Sequence, residues 1–163
     1  MEKDLKKLIT PKNIENDSME IEKFALKTPL IRLHWLDTPK RKVWAKLECN
    51  QLTNSFKVRG AYNAIRKIDE NIPVITNSAG NHGLAIAYTL QRLKRKGKIF
   101  VPENASELKL RRLINMGAEV IPVGKDLYKC GENAKKVAQE IGGAYISPFS
   151  TTDVIIGQGS VAV

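Results

Sequence analysis

Short β-branched runs alternate with amphipathic stretches along most of this chain. Runs at 43–48, 72–76, 98–102, 119–123 and 144–146 read as strands. Between them, Val58, Ala61, Ile65 and Ile68 recur at spacings of three, four and three, which places them on one helical face. Leu84, Ala87, Leu90 and Leu93 repeat the pattern. A third helix is predicted from Asn104, where Glu107 three residues on would complete a capping box, to Met116 before Gly117. A fourth is predicted over 131–140, closed by Gly142 and Gly143. Strands alternating with helices predict an α/β fold: a three-layer parallel sheet with flanking helices, joined by right-handed crossovers.

The two ends fit that unit less well. The first forty residues offer one helix over 18–26, then Thr28-Pro29-Leu30 and a proline-interrupted stretch expected to be an irregular arm. The last residues, GQGSVAV, read as a loop opening a helix that has no room to form, so further chain is expected downstream.

At 163 residues, one compact domain is the default. Apolar residues at 42% and charged residues at 27% are ordinary for a folded, water-soluble chain. No apolar run approaches the ~20 residues that span a bilayer, and MEKDLKKLIT has no apolar block behind its charges, so no membrane association and a cytoplasmic location are expected. Cys49 and Cys130 are far apart and lie in no CxxC or Cys/His cluster, which leaves a disulfide framework and a metal site without support. The formal charge of +10 raises nucleic-acid binding. Its densest stretch is Arg92, Lys94, Arg95, Lys96 and Lys98, where a helix should end and the macrodipole favours cations, and no nucleic-acid motif accompanies it.

Two segments carry candidate chemistry. In Asn54-Ser55-Phe56-Lys57-Val58-Arg59-Gly60-Ala61, Ser55 is a plausible N-cap, which puts Lys57 in a first helical turn, an unfavourable place for an ammonium. Such a lysine either snorkels to solvent or presents a neutral amine able to attack an aldehyde. In Ser78-Ala79-Gly80-Asn81-His82-Gly83, backbone N–H groups between a strand and a helix suit a carboxylate or phosphate, while an ordinary βα turn would use the same residues. Spacing alone leaves both pairs of readings open.

Thr28-Pro29-Leu30, Lys46-Leu47-Glu48, the segment around Lys57, Ser78 to Gly83, Lys109, Gly117-Ala118-Glu119-Val120, Pro148-Phe149 and Gly157-Gln158-Gly159-Ser160 occur in this order. They resemble the signature segments of fold-type-II pyridoxal-phosphate enzymes, and most closely those of the threonine/serine dehydratases. The resemblance runs from about Thr28 to the last residue. It implies the small domain of a tryptophan-synthase-β-like fold at 54–148, with 1–53 and 149–163 belonging to an incomplete large domain. It also implies that Lys57 holds pyridoxal phosphate and acts as the base at the substrate Cα. Phe56 would flank the pyridine ring and Asn81 would hydrogen-bond its hydroxyl. Ser78, Ala79, Gly80, Asn81 and His82 would bind the substrate, gripping its carboxylate. The racemases of the family typically carry serine at the position of Ala79, and alanine has no proton to deliver, which implies elimination.

Asn54 stands where these dehydratases usually have glycine, and Ser150 where an aspartate is common. Family members continue into a glycine-rich loop for the cofactor phosphate, absent from these residues. The leading expectation is therefore a lyase that converts L-threonine or L-serine to a 2-oxo acid and ammonia. The alternatives are serine racemase or β-replacement chemistry, or a non-catalytic half that binds a partner chain. The expected partners are a small amino-acid substrate and either further copies of the chain or a complementing second half.

Overall fold

The computed structural model describes residues 8–163, and helix α1 (Pro11–Ile21) is the first helix that lies wholly within them. The helix expected over 18–26 thus starts seven residues earlier. Thr10 caps it, its hydroxyl accepting from Asn13 N at 3.2 Å, and Pro11 occupies the position where a missing N–H does no harm. This helix buries only Ser18 and Ile21, so it gives little apolar periodicity to read.

The expected irregular arm is instead a hairpin. Strand β1 (Leu30–Arg32) pairs antiparallel with β2 (Trp44–Lys46), Ile31 opposite Ala45. Asp37 ties its loop by accepting from Val43 N at 2.8 Å and Arg32 Nε at 2.9 Å. The run at 43–48 is therefore no part of the parallel sheet.

That sheet contains the other four expected strands, β3 (Val74–Asn77), β4 (Gly97–Val101), β5 (Glu119–Pro122) and β6 (Ala144–Tyr145), in the order β5-β4-β3-β6 and all parallel. The chain builds outward from β3 to β5, then returns to the far side of β3. Successive side chains face opposite ways. Val74, Ile99 and Val101 pack with α2 (Lys57–Ile65), α3 (Asn81–Leu93) and α4 (Glu107–Asn115). Ile75 and Phe100 pack on the other face with Cys130, Ala134 and Ala138 of α5 (Leu127–Glu140). Reversing the strand order while keeping one crossover hand requires this change of face.

Two further helix starts differ from expectation. Helix α4 begins after Ser106, because Asn104 and Ala105 sit in a turn in which Ala105 N donates to Pro102 O. Helix α5 begins at Leu127, four residues before Gly131, since Asp126 caps it by accepting from Lys129 N at 2.8 Å. Gly131 is a helix residue whose missing side chain leaves room for Asn77: a Cβ there would lie 3.2 Å from Asn77 Nδ2.

The terminal segment also departs from the reading of a loop. It forms α6 (Thr152–Gly159) and a 3-10 turn at Ser160–Ala162. The core crosses both expected domain boundaries, with Ile21, Ala25 and Val154 packed among Val58, Ile65, Leu84 and Ile86. Arg95, from the basic stretch, is committed internally. Its guanidinium donates to the carbonyls of Ile65, Ile68, Asp69 and Ile72, which closes the chain after α2. Lys98 pairs with Glu119.

Candidate active site

The reversal of strand order between β3 and β6 leaves a crevice at their carboxyl ends, the usual ligand position in parallel α/β sheets. A cleft of about 640 Å³ opens there. Lys57, Ser78, Asn81 and His82 line one side, and Tyr128, Glu132 and Lys135 of α5 line another. Of the residues expected to act, these first four are brought together. Ala79 and Gly80 border a neighbouring cleft with Ser106 and Lys109. Phe56 borders a third, with Glu48 and Gln158.

Lys57 is the first residue of α2, and Ser55 Oγ accepts its backbone N–H at 3.2 Å. Its ammonium lies 5.0 Å from the centroid of the Phe56 ring. Among the described residues no carboxylate pairs with it.

Three signature segments meet beneath this lysine in one buried network. Arg59 Nε and one terminal nitrogen donate to the two Glu48 oxygens at 2.9 and 2.8 Å. Thr28 Oγ1 donates to the same carboxylate, and Lys46 Nζ donates to Thr28 O at 2.9 Å. Burial pushes the Glu48 carboxyl upward, but the hydrogen bonds from Arg59 and Thr28 outweigh it and hold the group below its ordinary value. Gln51 braces the loop before Lys57 by pairing with both Leu26 N and Leu26 O, at 2.8 and 2.9 Å. Asn54 adopts φ +56°, a left-handed conformation that Asn tolerates better than most residues, which accounts physically for its presence where glycine was expected.

No side chain caps α3, so the N–H groups of its first turn have no side-chain acceptor. Gly83 lets this helix start sit against the end of β3, because a Cβ there would lie 2.1 Å from Ser78 O. The Asn81 side chain is exposed at the mouth.

His82 behaves differently from the other loop residues, for its imidazole turns inward. Thr76 Oγ1 donates to Ile146 O at 2.7 Å and lies 3.1 Å from His82 Nε2. Burial, seconded by the Lys57 charge, holds the ring's pKa down to about 4, against a smaller opposing effect of the Ile146 carbonyl. His82 can therefore offer the loop its backbone, while its side chain joins β3, α3 and β6.

Sequence reasoning missed the far wall. Tyr145 OH donates to Asn77 Oδ1 at 2.6 Å, and Asn77 Nδ2 donates to Leu127 O at 3.0 Å, which pins the start of α5 over the cleft. The Asp126 cap was the available signal for that helix start. Below it, Ser150 Oγ donates to Ser147 Oγ at 2.9 Å in the turn after β6.

The sequence pattern described as pyridoxal-phosphate dependent enzyme matches residues 21–163. A threonine dehydratase of Nicotiana attenuata is 40% identical over 121 residues, covering 72% of this chain and 20% of the relative. A serine racemase of Dictyostelium discoideum is 34% identical over 159 residues, covering 95% and 49%. Its solved structure is similar with a TM-score of 0.84 over 95% of this chain and 52% of that one. The processed form of threonine deaminase isoform 2 from Solanum lycopersicum gives a TM-score of 0.83 at 30% identity, over 98% of this chain and 44% of that one. The chain thus spans half or less of the curated relatives it matches.

Proposed function

Because the chain belongs to the pyridoxal-phosphate-dependent enzyme family, whose cofactor is pyridoxal phosphate, we propose that Lys57 is its cofactor-bearing residue. We propose further that the activity of the whole protein is dehydration and deamination of L-threonine or L-serine to a 2-oxo acid and ammonia. One observation carries this reading: an amine that has no carboxylate partner among the described residues lines a cleft at the strand reversal, on the same wall as an uncapped helix start.

The residues present suit the cofactor. When bound, it would supply the electron sink for charge that develops at the substrate Cα. The Lys57 amine would hold it and move the Cα proton. Phe56, 39% exposed, would present a ring face beside it. The Asn81 amide would meet the ring hydroxyl. The Ser78 to His82 loop, shaped by Ala79 and Gly80, would hold the substrate carboxylate with the N–H groups at the start of α3, since Ser78 N already donates to Phe100 O and Gly80 N to Ser78 Oγ. His82 would contribute its backbone only.

Likeness to a serine racemase favours a second reading, racemisation. Ala79 opposes it, since its methyl group packs against the core and has no proton to give. In whole protein supplied with L-serine, 2-oxo acid should form much faster than D-serine; dominant D-serine would reverse the assignment.

These residues span 20% and 49% of the two curated relatives' lengths, so the contact to the cofactor phosphate is proposed to come from residues beyond that share. A complementing second chain would supply them, or the remainder of a full-length form, which is proposed to be a cytoplasmic homo-oligomer. No helix among the described residues is long and apolar enough to cross a membrane. Borohydride reduction of cofactor-loaded protein, followed by peptide mapping, should find the label on Lys57. Label on another lysine with Lys57 unmodified would overturn the assignment.

A further inference from the structure

Among the described residues, the cleft wall brings together a donor without an acceptor and a buried acceptor without a donor. His82 is 3% exposed, and its Nδ1 has no hydrogen-bond partner. Buried polar nitrogens in that condition are rare enough to need a reason. The protonation of the ring follows from its neighbour. A hydroxyl has one hydrogen, and that of Thr76 is committed to Ile146 O. Thr76 Oγ1 must therefore accept from His82 Nε2–H, 3.1 Å away. In the neutral ring this leaves Nδ1 as a bare lone pair.

Lys57 lines the same cleft. Its ammonium carries three N–H donors, yet among the described residues it meets only the face of Phe56. The four-carbon stem leaves it free to swing. Its charge is already felt at the His82 ring, which places the two groups within electrostatic reach.

We propose that Lys57 donates a hydrogen bond to Nδ1 of His82 in the ligand-free protein, so that His82 is a positioning residue that draws the amine off Phe56 and holds it over the cleft. The Thr76 hydroxyl and the Ile146 carbonyl fix the ring for this purpose. The functional meaning rests on the reading of Lys57 as the cofactor-bearing residue, whereas the hydrogen bond itself does not.

The chain has only two histidines, His34 and His82, so nitrogen-15 imidazole spectra of the ligand-free protein at pH 7 test the bond directly. His82 should appear as the Nε2–H tautomer, with its Nδ1 resonance shifted upfield of a free acceptor nitrogen. Lys57→Met should return Nδ1 to the free-acceptor position and leave Nε2–H in place. An Nδ1–H tautomer, or an Nδ1 resonance that Lys57→Met does not move, overturns the proposal. A second measurement follows the rate at which pyridoxal phosphate becomes trapped on Lys57 by borohydride. His82→Phe keeps a ring in place but removes the acceptor nitrogen, and should slow trapping about fivefold, the worth of one hydrogen bond. An unchanged rate in a folded variant counts equally against it. Trapping at a different lysine would instead remove the cofactor assignment and leave the spectroscopic result standing.

Discussion

Arg59 lies against Glu48 as a two-pronged ion pair, at 2.9 and 2.8 Å, with side chains only 4% and 9% exposed. The pair joins the residue two places after Lys57 to the segment after β2, and Arg59 also donates to Leu26 O at 3.1 Å. Removing one partner leaves a buried charge uncompensated, which typically costs about 3–5 kcal/mol. Arg59→Met should therefore lower stability by that amount. Glu48→Gln, which keeps hydrogen-bonding capacity, should cost less. Urea unfolding of both variants at pH 7 would check the order; an Arg59→Met midpoint equal to the parent's would mean the pair does not brace the start of α2.

Asn54 holds a left-handed backbone at φ +56° directly before the Lys57 segment. Glycine adopts this region freely, whereas a β-branched residue is strained there. Asn54→Gly should change stability by less than about 0.5 kcal/mol. Asn54→Val should lose about 1–2 kcal/mol. Thermal unfolding would compare them, and a well-tolerated valine would show that the loop can relax out of this conformation.

The parallel strands were legible because each is a short apolar or β-branched run bounded by turns, fully buried in β3 and only partly so in β5 and β6, and β3 to β6 fall within two residues of their expected places. Helices α2 and α3 were legible from periodicity. Helix α6 was hidden because Gly157 and Gly159 look like loop residues. They are helix residues chosen for close approach, for a Cβ on Gly159 would lie 2.8 Å from Ile14 Cδ1. The β1–β2 pairing was hidden because strand partners are set by tertiary contact rather than by either segment alone. At the site, the motif residues Lys57, Ser78, Asn81 and His82 could be picked out, yet the inward turn of His82 could not. It depends on Ile146 meeting Thr76 across 70 residues of sequence.

His82 also predicts a pH dependence. Its folded pKa of about 4 lies below the ordinary value of 6.5, so the unfolded chain binds this proton first as pH falls. The stabilisation is fully present above pH 6.5 and is lost between 6.5 and about 4, below which both states are protonated. At about 1.4 kcal/mol per pH unit, the loss amounts to roughly 3 kcal/mol. Asp17 and Glu48 have lowered pKa values as well, but their ordinary values of 3.8 and 4.5 put their effects at lower pH. Stability should therefore fall measurably from pH 7 to pH 5 in the parent, and the fall should be smaller in His82→Gln. Equal slopes in the two proteins would assign the change to other groups.

Helices α2 and α6 cross at Gly60 and Gly157, and the two glycines should respond unequally to alanine. A Cβ on Gly157 would lie 2.7 Å from Gly60 Cα, 2.7 Å from Asn63 Cβ and 2.8 Å from Arg59 O. These atoms belong to the backbone or to the base of a side chain, so they can yield only if the helices separate. A Cβ on Gly60 would also meet backbone, at 2.7 Å from Val154 O, but its other close contacts are Gln158 Nε2 and Cδ, the far end of a flexible side chain. Alanine in a helix interior gains up to about 1 kcal/mol over glycine through backbone entropy. Overpacking at such a crossing typically costs about 1–3 kcal/mol, so the steric effect should prevail at Gly157 and be partly offset at Gly60. Gly157→Ala should therefore be the more destabilising by about 1 kcal/mol or more. Because α2 begins at Lys57, moving it should also slow borohydride-trapped labelling of that lysine. Urea midpoints of the two variants, read beside their labelling rates, would decide; Gly60→Ala falling further than Gly157→Ala would show that the crossing yields at Gly157 after all.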